Sequence, residues 1–405
     1  MTDQPVSAAG NSPTAVPPPG TPGPAPGGLP DLAPQANIER SPASPARLAW
    51  RRLRKNRTAM LGGLLLLVLY FFTLFGSFFA VRDPAKLDYN FSSHPPTMPR
   101  FVDETGKFHF RPFVYKMEMT DMEKQTWAYT AEKFPLHFFV KGDPYKLWWI
   151  IPTDIHLVGV AEGGLFAPFG TDNIGRCVFS RTLEGGKVSL SIGIMALSIS
   201  LVIGMLMGSL AGYYGGLTDT AIMRLVEFLM SVPSLYLIIA LRAYFQSEGV
   251  FGIGGSSIGS GEMYLIIVVI LSFIGWAGLA RVIRGMVLSI KEQDFVMAER
   301  AIGAGTLRIL AFHVLPNTMS YVIISATIAI PGYILGEVAL SFLGVGIQEP
   351  AVSWGNMLDQ ARSLSILRNQ PWLMLSPAGA IFLTVMAFNF LGDGLRDALD
   401  PKHLK

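Results

Sequence analysis

The residues that could perform chemistry are few, and their spacing fits neither catalysis nor metal binding. The single cysteine, Cys177, excludes an internal disulfide and a cysteine-based metal cluster. His94, His109 and His137 stand apart in the sequence and lack the spacing of a zinc site. The segment Gly185-Gly186-Lys187-Val188 lacks the first glycine and the hydroxyl of a phosphate-binding loop. We therefore expect no catalytic residue, no bound metal and no cofactor.

The composition places much of the chain in lipid. Hydrophobic residues make up 50% of the chain and charged residues 15%, whereas roughly a quarter of a soluble domain is charged. The net charge of +3 is small, and its scattered distribution gives no indication of nucleic-acid binding. The few polar side chains must therefore be positioned by elements that span a bilayer.

Six apolar stretches have about the 20 residues that a helix needs to cross a bilayer core of roughly 30 Å. They comprise residues 58–81, 188–215, 222–245, 263–280, 319–336 and 372–391. The basic cluster that precedes the first stretch consists of Arg51, Arg52, Arg54, Lys55 and Arg57. Because such clusters stay in the cytoplasm, the first helix runs outward. The predicted fold is an all-α integral membrane protein with six transmembrane helices and both termini cytoplasmic.

The chain divides into four segments. Residues 1–46 are rich in Pro, Gly, Ala and Ser, which predicts a disordered cytoplasmic tail, with a Pro-rich docking ligand as the alternative. Residues 47–81 hold the basic flank and the first helix. Residues 82–187 are polar, and we expect a long extracytoplasmic insertion with several short strands, either a structural cap or a docking surface for a partner. Residues 188–405 form the main membrane domain.

A cytoplasmic segment, residues 289–317, has a helical period of apolar residues that Gly303 and Gly305 interrupt. This pattern predicts two short helices joined at a glycine turn. A helical hairpin between two spans can transmit a displacement that a partner causes. An ordinary connecting loop fits the pattern equally well.

Glu337 is an acidic residue near membrane depth, late in the fifth stretch. Charged groups at that depth are costly and commonly face a cavity or a partner charge, which favours a role in the pathway or its gating. Its position just after Pro331-Gly332 would also allow it to lie at the outer interface without such a role. Pro233 and Pro331 are expected to kink their helices.

Five motifs follow one another between Gly170 and the C-terminus. They are Gly170-Thr-Asp-Asn-Ile-Gly-Arg176 with Ser180-Arg181, Gly212-Tyr-Tyr-Gly-Gly216, the segment Met297 to Asn317, Glu337-Val-Ala-Leu-Ser-Phe-Leu-Gly-Val-Gly346, and Phe390-Leu-Gly-Asp-Gly-Leu-Arg-Asp397 with Asp400-Pro401. In this order they resemble the dipeptide, oligopeptide and nickel branch of the ABC-importer permeases, and the third motif resembles the family's EAA loop. At Cys177 that family usually has Asp, so we expect a small buried side chain there rather than an ion pair.

The resemblance implies a permease subunit in a bacterial plasma membrane that does no catalysis itself. Its partners would be a second homologous permease, two cytoplasmic ATPase subunits and an extracytoplasmic solute-binding protein, all around one translocation path in the lipid bilayer. The loop residues that would couple to the ATPases are Ala298, Glu299, Arg300, Gly303, Ala304, Arg308, Leu315 and Pro316. The triplet that names the loop reads Met297-Ala298-Glu299 here, so its acidic residue has moved by two positions.

Two other classes of protein were weighed. A self-sufficient secondary transporter or channel often shows an internal repeat and several ionisable residues near the midplane, and the sequence shows no repeat and one candidate acid. A membrane-anchored binding domain formed by residues 82–187 would not need five further spans. The cargo stays open, because peptides, nickel chelates, opines and oligosaccharides all fit the same permease type.

Overall fold

A computed structural model describes residues 45–121, 126–148, 150–161, 163–248 and 259–399. The predicted tail, residues 1–46, lies outside this range except for its last two residues. The described chain begins with α1 (Pro45–Lys55), α2 (Arg57–Leu74) and the short α3 (Gly76–Phe79). Asn56 separates the first two helices because its side-chain oxygen accepts a hydrogen bond from the Ala59 amide at 3.2 Å, which caps α2.

The membrane part of the chain is helical, as predicted. After the insertion come α4 (Val178–Tyr214), α5 (Gly216–Ser231), α6 (Ser234–Glu248), α7 (Ser260–Ile290), α8 (Asp294–Ala301), α9 (Thr306–Ile309), α10 (Leu315–Phe342), α11 (Trp354–Gln360), α12 (Leu364–Asn369) and α13 (Trp372–Leu399). Within the described ranges, five helices are long and apolar enough to cross a membrane, and the pair α5–α6 makes six if it counts as one span.

The third span differs from the kinked helix that the sequence predicts, because its two halves are bent by 97° at their break. Val232, at the end of α5, has an extended backbone with φ −86° and ψ 128°. The ring of Pro233 disfavours the helical conformation at the preceding residue, and its nitrogen has no hydrogen to donate. The chain therefore forms two separate helices here instead of one kinked helix.

Helix α4 packs closely against α7 along a row of small residues. A Cβ atom at Gly208 would lie 2.6 Å from the carbonyl oxygen of Ala280, closer than real atoms approach. Small residues of this kind let two backbones come together in lipid, where packing holds helices together. The pair forms the centre of the bundle, with α10 and α13 on its other sides.

The insertion folds around an antiparallel sheet of order β1-β2-β3-β4, with strands β1 (Arg100–Val102), β2 (Phe108–Asp121), β3 (Thr126–Leu147) and β4 (Ile151–Val160). Short strands were expected here, and β3 is much longer than that. Its first half pairs with β2 and its second half with β4. The pairing register of β3 shifts between Lys141 and Tyr145, which interrupts the alternation of apolar and polar residues by which a long strand is recognised in a sequence. The helical description therefore holds for the membrane part and not for the insertion.

Candidate functional site

The cytoplasmic segment between α7 and α10 has the two short helices that its glycines predict. Helices α8 and α9 are joined by a turn in which Gly303 has φ +83°. Only glycine adopts that conformation without strain. A π-helical turn, Leu310–Val314, then connects α9 to α10 without a break, so the hairpin is continuous with a membrane span.

One face of this hairpin is fixed to the bundle. Val296 of α8 and Val314 are fully buried, and they pack with Val287 and Ile290 of α7. Apolar burial of this kind contributes about 1.5–3 kcal/mol per large side chain. The hairpin is therefore packed tightly against the cytoplasmic ends of α7 and α10.

The other face exposes large apolar side chains to the cytoplasm. Ile302 is 79% exposed, Leu307 78% and Phe312 74%, with Phe295 at 39%. Single exposed apolar residues are common, but a group on one anchored hairpin marks an interaction surface. We call these four residues the hairpin surface.

Polar contacts join the cytoplasmic segment to the last turn of α4. The Lys291 ammonium donates to the carbonyl oxygen of Gly212 at 2.9 Å, and the Arg300 guanidinium lies 4.8 Å from the ring centroid of Tyr213. Arg284 of α7 forms an ion pair with Asp219 of α5. The motif Gly212–Gly216 thus contacts the cytoplasmic segment, which its sequence alone does not reveal.

The residues predicted to couple to an ATPase occupy both faces. Ala298, Arg300, Gly303, Arg308 and Pro316 are exposed, whereas Glu299, Ala304 and Leu315 are partly buried. Glu299 lies 3.5 Å from the ring of His313, inside the hairpin. The displaced acidic residue therefore supports the hairpin's own structure, and the exposed members, together with the hairpin surface, are those that a partner could reach. Their coupling role stays a prediction.

Glu337 of α10 is fully buried inside the subunit. Its two carboxyl oxygens accept hydrogen bonds of 2.7 Å from Ser189 of α4 and from Ser341. The Ser341 hydroxyl also accepts from the Ile347 amide at 2.9 Å, and Ser189 accepts from the Trp354 amide at 3.2 Å. The carboxyl group joins α10, α4 and the start of α11, and a pathway role for it stays a prediction.

The outer motif around Gly170 forms an ion network. Arg176 binds Asp172 at 2.7 Å and Glu349 at 3.0 Å, and Arg181 binds Glu349 at 2.8 Å. Glu349 lies outside the quoted motifs, so its place in this network could not be predicted from them. Cys177, next to Arg176 in the chain, is 1% exposed and packs with Leu165 and Ala167, as expected of a small buried side chain.

A small, mostly apolar groove lies between α4, α7 and α10. It has a volume of about 150 Å³. Its lining is mainly aliphatic side chains and the glycines Gly275 and Gly278, and Ser325, Tyr321 and Tyr333 add hydroxyls. Uncharged hydroxyls there can replace the hydrogen bonds that a polar solute loses on leaving water. No group of His, Cys, Asp and Glu among the described residues could hold a metal.

Residues 201–405 match the family model described as the inner membrane component of binding-protein-dependent transport systems. The chain belongs to this family. Residues 44–96 of the permease also match the N-terminal transmembrane domain of oligopeptide transport permease C. The permease is therefore a multi-pass inner membrane protein and a subunit of an ABC importer, as the resemblance implies.

Curated relatives cover most of the membrane domain. A putative peptide permease of Brucella suis is 40% identical over 260 residues, which span 64% of this permease and 80% of the relative. The dipeptide transport system permease DppC of Bacillus subtilis is 44% identical over 234 residues, spanning 58% and 68% of the two chains. Among solved structures, the inward-facing MetNI methionine ABC transporter aligns with 54% of this permease and 96% of its own chain, at 17% identity and a TM-score of 0.41.

Proposed function

We propose that the permease forms half of the translocation path of a peptide importer and couples that path to separate ATPase subunits. The observation that carries the proposal is the hairpin surface. Its apolar side chains are exposed in this subunit, whereas the opposite face of the hairpin is buried against the bundle. An ATPase subunit that bound there would push on α7 and α10 together.

The substrate class rests on the relatives and on the groove. The relatives named above are peptide and dipeptide permeases. A peptide backbone presents amide donors and carbonyl acceptors, and the hydroxyls of Ser325, Tyr321 and Tyr333 in the groove can bond either kind.

The partners follow from the family and from the exposed surfaces. A second homologous permease would complete the path, and one ATPase subunit would bind each permease at its hairpin. A solute-binding protein would deliver cargo on the side of the insertion, residues 82–187. ATP hydrolysis would take place on the ATPases alone.

The test compares Leu307→Asp with a matched variant, Phe110→Asp. Both side chains are highly exposed, at 78% and 94%, but Phe110 lies on the outer sheet. The tagged importer is purified from detergent-solubilised membranes, and the amounts of ATPase and of second permease that copurify are measured. In Leu307→Asp the affinity for the ATPase should fall at least about tenfold, a change of ~1.4 kcal/mol in binding free energy. The second permease should still copurify.

Phe110→Asp should retain both kinds of partner. Equal ATPase recovery in wild type and Leu307→Asp would overturn the coupling role of the hairpin surface. Solute uptake into proteoliposomes by the permease alone, without ATP, would instead identify a secondary transporter.

A further inference from the structure

A second, larger cavity lies on the outer flank of the subunit. Its volume is about 430 Å³, and it is enclosed by the last turns of α2, the first turns of α4 and the closed end of the β3–β4 hairpin. The apolar run of α2 ends at Leu74, and α4 becomes charge-free only after Lys187. The cavity therefore lies at the outer boundary of the bilayer, and it shares no lining residue with the smaller groove between α4, α7 and α10.

The end of the cavity that faces the membrane is apolar. Leu74 and Ile194, on the facing sides of α2 and α4, are 52% and 41% exposed, and the ring of Trp148 stands 5.3 Å from that of Phe75. Aromatic side chains at this level are typical of the membrane–water interface. Exposed aliphatic residues here face hydrocarbon, so the cavity continues into the lipid phase.

The outer end of the cavity carries balanced charge. Its lining includes three basic residues and three acidic residues: Arg82, Lys146, Lys187, Asp83, Asp143 and Glu184. Glu184 pairs with Lys187 at 2.6 Å, Asp143 with Lys86 at 2.6 Å and Arg82 with Asp88 at 2.8 Å. Among the described residues, Lys146 and Asp83 are the lining charges that form no ion pair. A ligand with one charge of each sign is the better match.

Two lining side chains carry polar atoms that lack partners. The Tyr70 hydroxyl and one terminal nitrogen of Arg82 are buried and have no hydrogen bond to any described group. A buried donor left without a partner costs about 1–3 kcal/mol, so such atoms are uncommon in folded proteins. Both can donate, and oxygen atoms of a bound molecule would satisfy them.

We propose that this cavity binds a phospholipid of the outer leaflet with a zwitterionic, amine-bearing headgroup. The phosphate oxygens accept hydrogen bonds from Arg82 and Lys146, and the ammonium group lies beside Asp83. The first part of an acyl chain packs along Leu74 and Ile194. The lipid thereby joins the insertion to the membrane bundle.

The experiment uses the assembled importer in nanodiscs that contain a photoreactive phosphatidylethanolamine with a diazirine in its acyl chain. Crosslinked residues are mapped by peptide mass spectrometry, and phosphatidylglycerol with the same chain serves as the anionic probe. Two variants change the cavity: Lys146→Glu reverses an exposed charge, and Ser77→Trp fills the space. Lys141→Glu, an exposed lysine on the same strand outside the cavity, is the matched control.

Crosslinks at Leu74 and Ile194 should fall about tenfold in Lys146→Glu, which corresponds to a tenfold loss of affinity. They should fall similarly in Ser77→Trp, stay unchanged in Lys141→Glu, and be much weaker with phosphatidylglycerol. Equal labelling in wild type, Lys146→Glu and Ser77→Trp would overturn the site, and equal labelling by both lipids would overturn the zwitterionic preference. Displacement by dipeptides would assign the cavity to cargo, and protection by the second permease would assign it to the subunit interface.

Discussion

Arg181, 1% exposed near the outer end of α4, donates a hydrogen bond of 2.8 Å to the Glu349 carboxylate in the segment between α10 and α11. The same carboxylate binds Arg176 at 3.0 Å, while its own side chain is 45% exposed. Two buried guanidinium groups thus share one half-exposed acid, and Arg176 has the buried Asp172 as a second partner at 2.7 Å. The outer ends of two spans are joined by this contact.

Replacing that acid should loosen the outer end of the bundle. Glu349→Gln leaves Arg181 buried with a weaker partner, and we expect the free energy of unfolding to fall by about 2 kcal/mol, less than for a fully buried pair because the carboxylate is half-exposed. Thermal unfolding in detergent at pH 7 measures the loss. Gln360→Ala, which removes only the exposed 3.1 Å hydrogen bond from a neutral amide to the same carboxylate, should change stability by less than about 0.5 kcal/mol.

The contribution of Glu349 should also depend on pH. Burial by itself would raise the pKa of this carboxyl, but the charges and hydrogen bonds of Arg181 and Arg176 outweigh it and hold the pKa below its ordinary value. The stabilisation is therefore complete above the unfolded-state value of about 4.3 and is lost as the pH falls through the lower folded-state pKa. Wild type and Glu349→Gln should converge in stability in strong acid, and a constant difference at every pH would contradict this account.

Gly303 and Gly305 provide a matched pair in the hairpin. Both have open space where a Cβ would be, but Gly303 has φ +83° and Gly305 has φ −68°. Gly303→Ala should cost about 1 kcal/mol for the left-handed conformation, and Gly305→Ala should be neutral or slightly stabilising. Hydrogen exchange of the α8 and α9 amides gives the comparison. Faster exchange in Gly305→Ala than in Gly303→Ala would show that the turn has another conformation.

The hydroxyl of Ser341 has two partners that a methyl group cannot replace. Ser341→Ala would leave the buried Ile347 amide without its acceptor and Glu337 with one hydrogen bond fewer, at a cost of about 1–3 kcal/mol. Ser198→Ala is the control, since Ser198 donates only to Ile194 of its own helix. Chemical denaturation of both variants in detergent checks the difference, and equal midpoints would show that the Glu337 contacts carry little stability.

His94 should make the outer segment sensitive to mild acid. Its ring is 1% exposed, and burial lowers its pKa to about 4, although the hydrogen bond to the Pro95 carbonyl opposes this shift. Because the unfolded-state pKa is about 6.5, protons favour the unfolded form between these values. The local stability is full above pH 6.5 and falls toward pH 4.

Exchange of the Thr171 amide, which donates to the His94 carbonyl at 2.9 Å, reports this effect. After correction for intrinsic exchange, its protection in wild type should decrease between pH 7 and pH 5. In His94→Gln the protection should be lower at pH 7 and should not vary with pH. The same pH dependence in both proteins would rule out His94 as its source.

The sequence by itself determined the membrane spans and the glycine break in the cytoplasmic hairpin. Lipid offers no hydrogen bonds to a backbone, so a long charge-free stretch has to be helical wherever it crosses. A glycine pair within a helical period interrupts the helix by purely local preferences. Both features depend on residues close together in the chain, and they could be predicted for that reason.

Only the tertiary structure decided which distant groups meet. Glu349 pairs with Arg181, Ser189 with Glu337, and Tyr213 with Arg300, and nothing in the spacing of these residues selects one partner over others of the same type. The 97° break after α5 exceeds what Pro233 alone predicts, because a proline ends a helix but the packing of both halves sets the angle. The cavity beside Leu74 likewise exists because three separate elements meet there, two spans and the end of a hairpin.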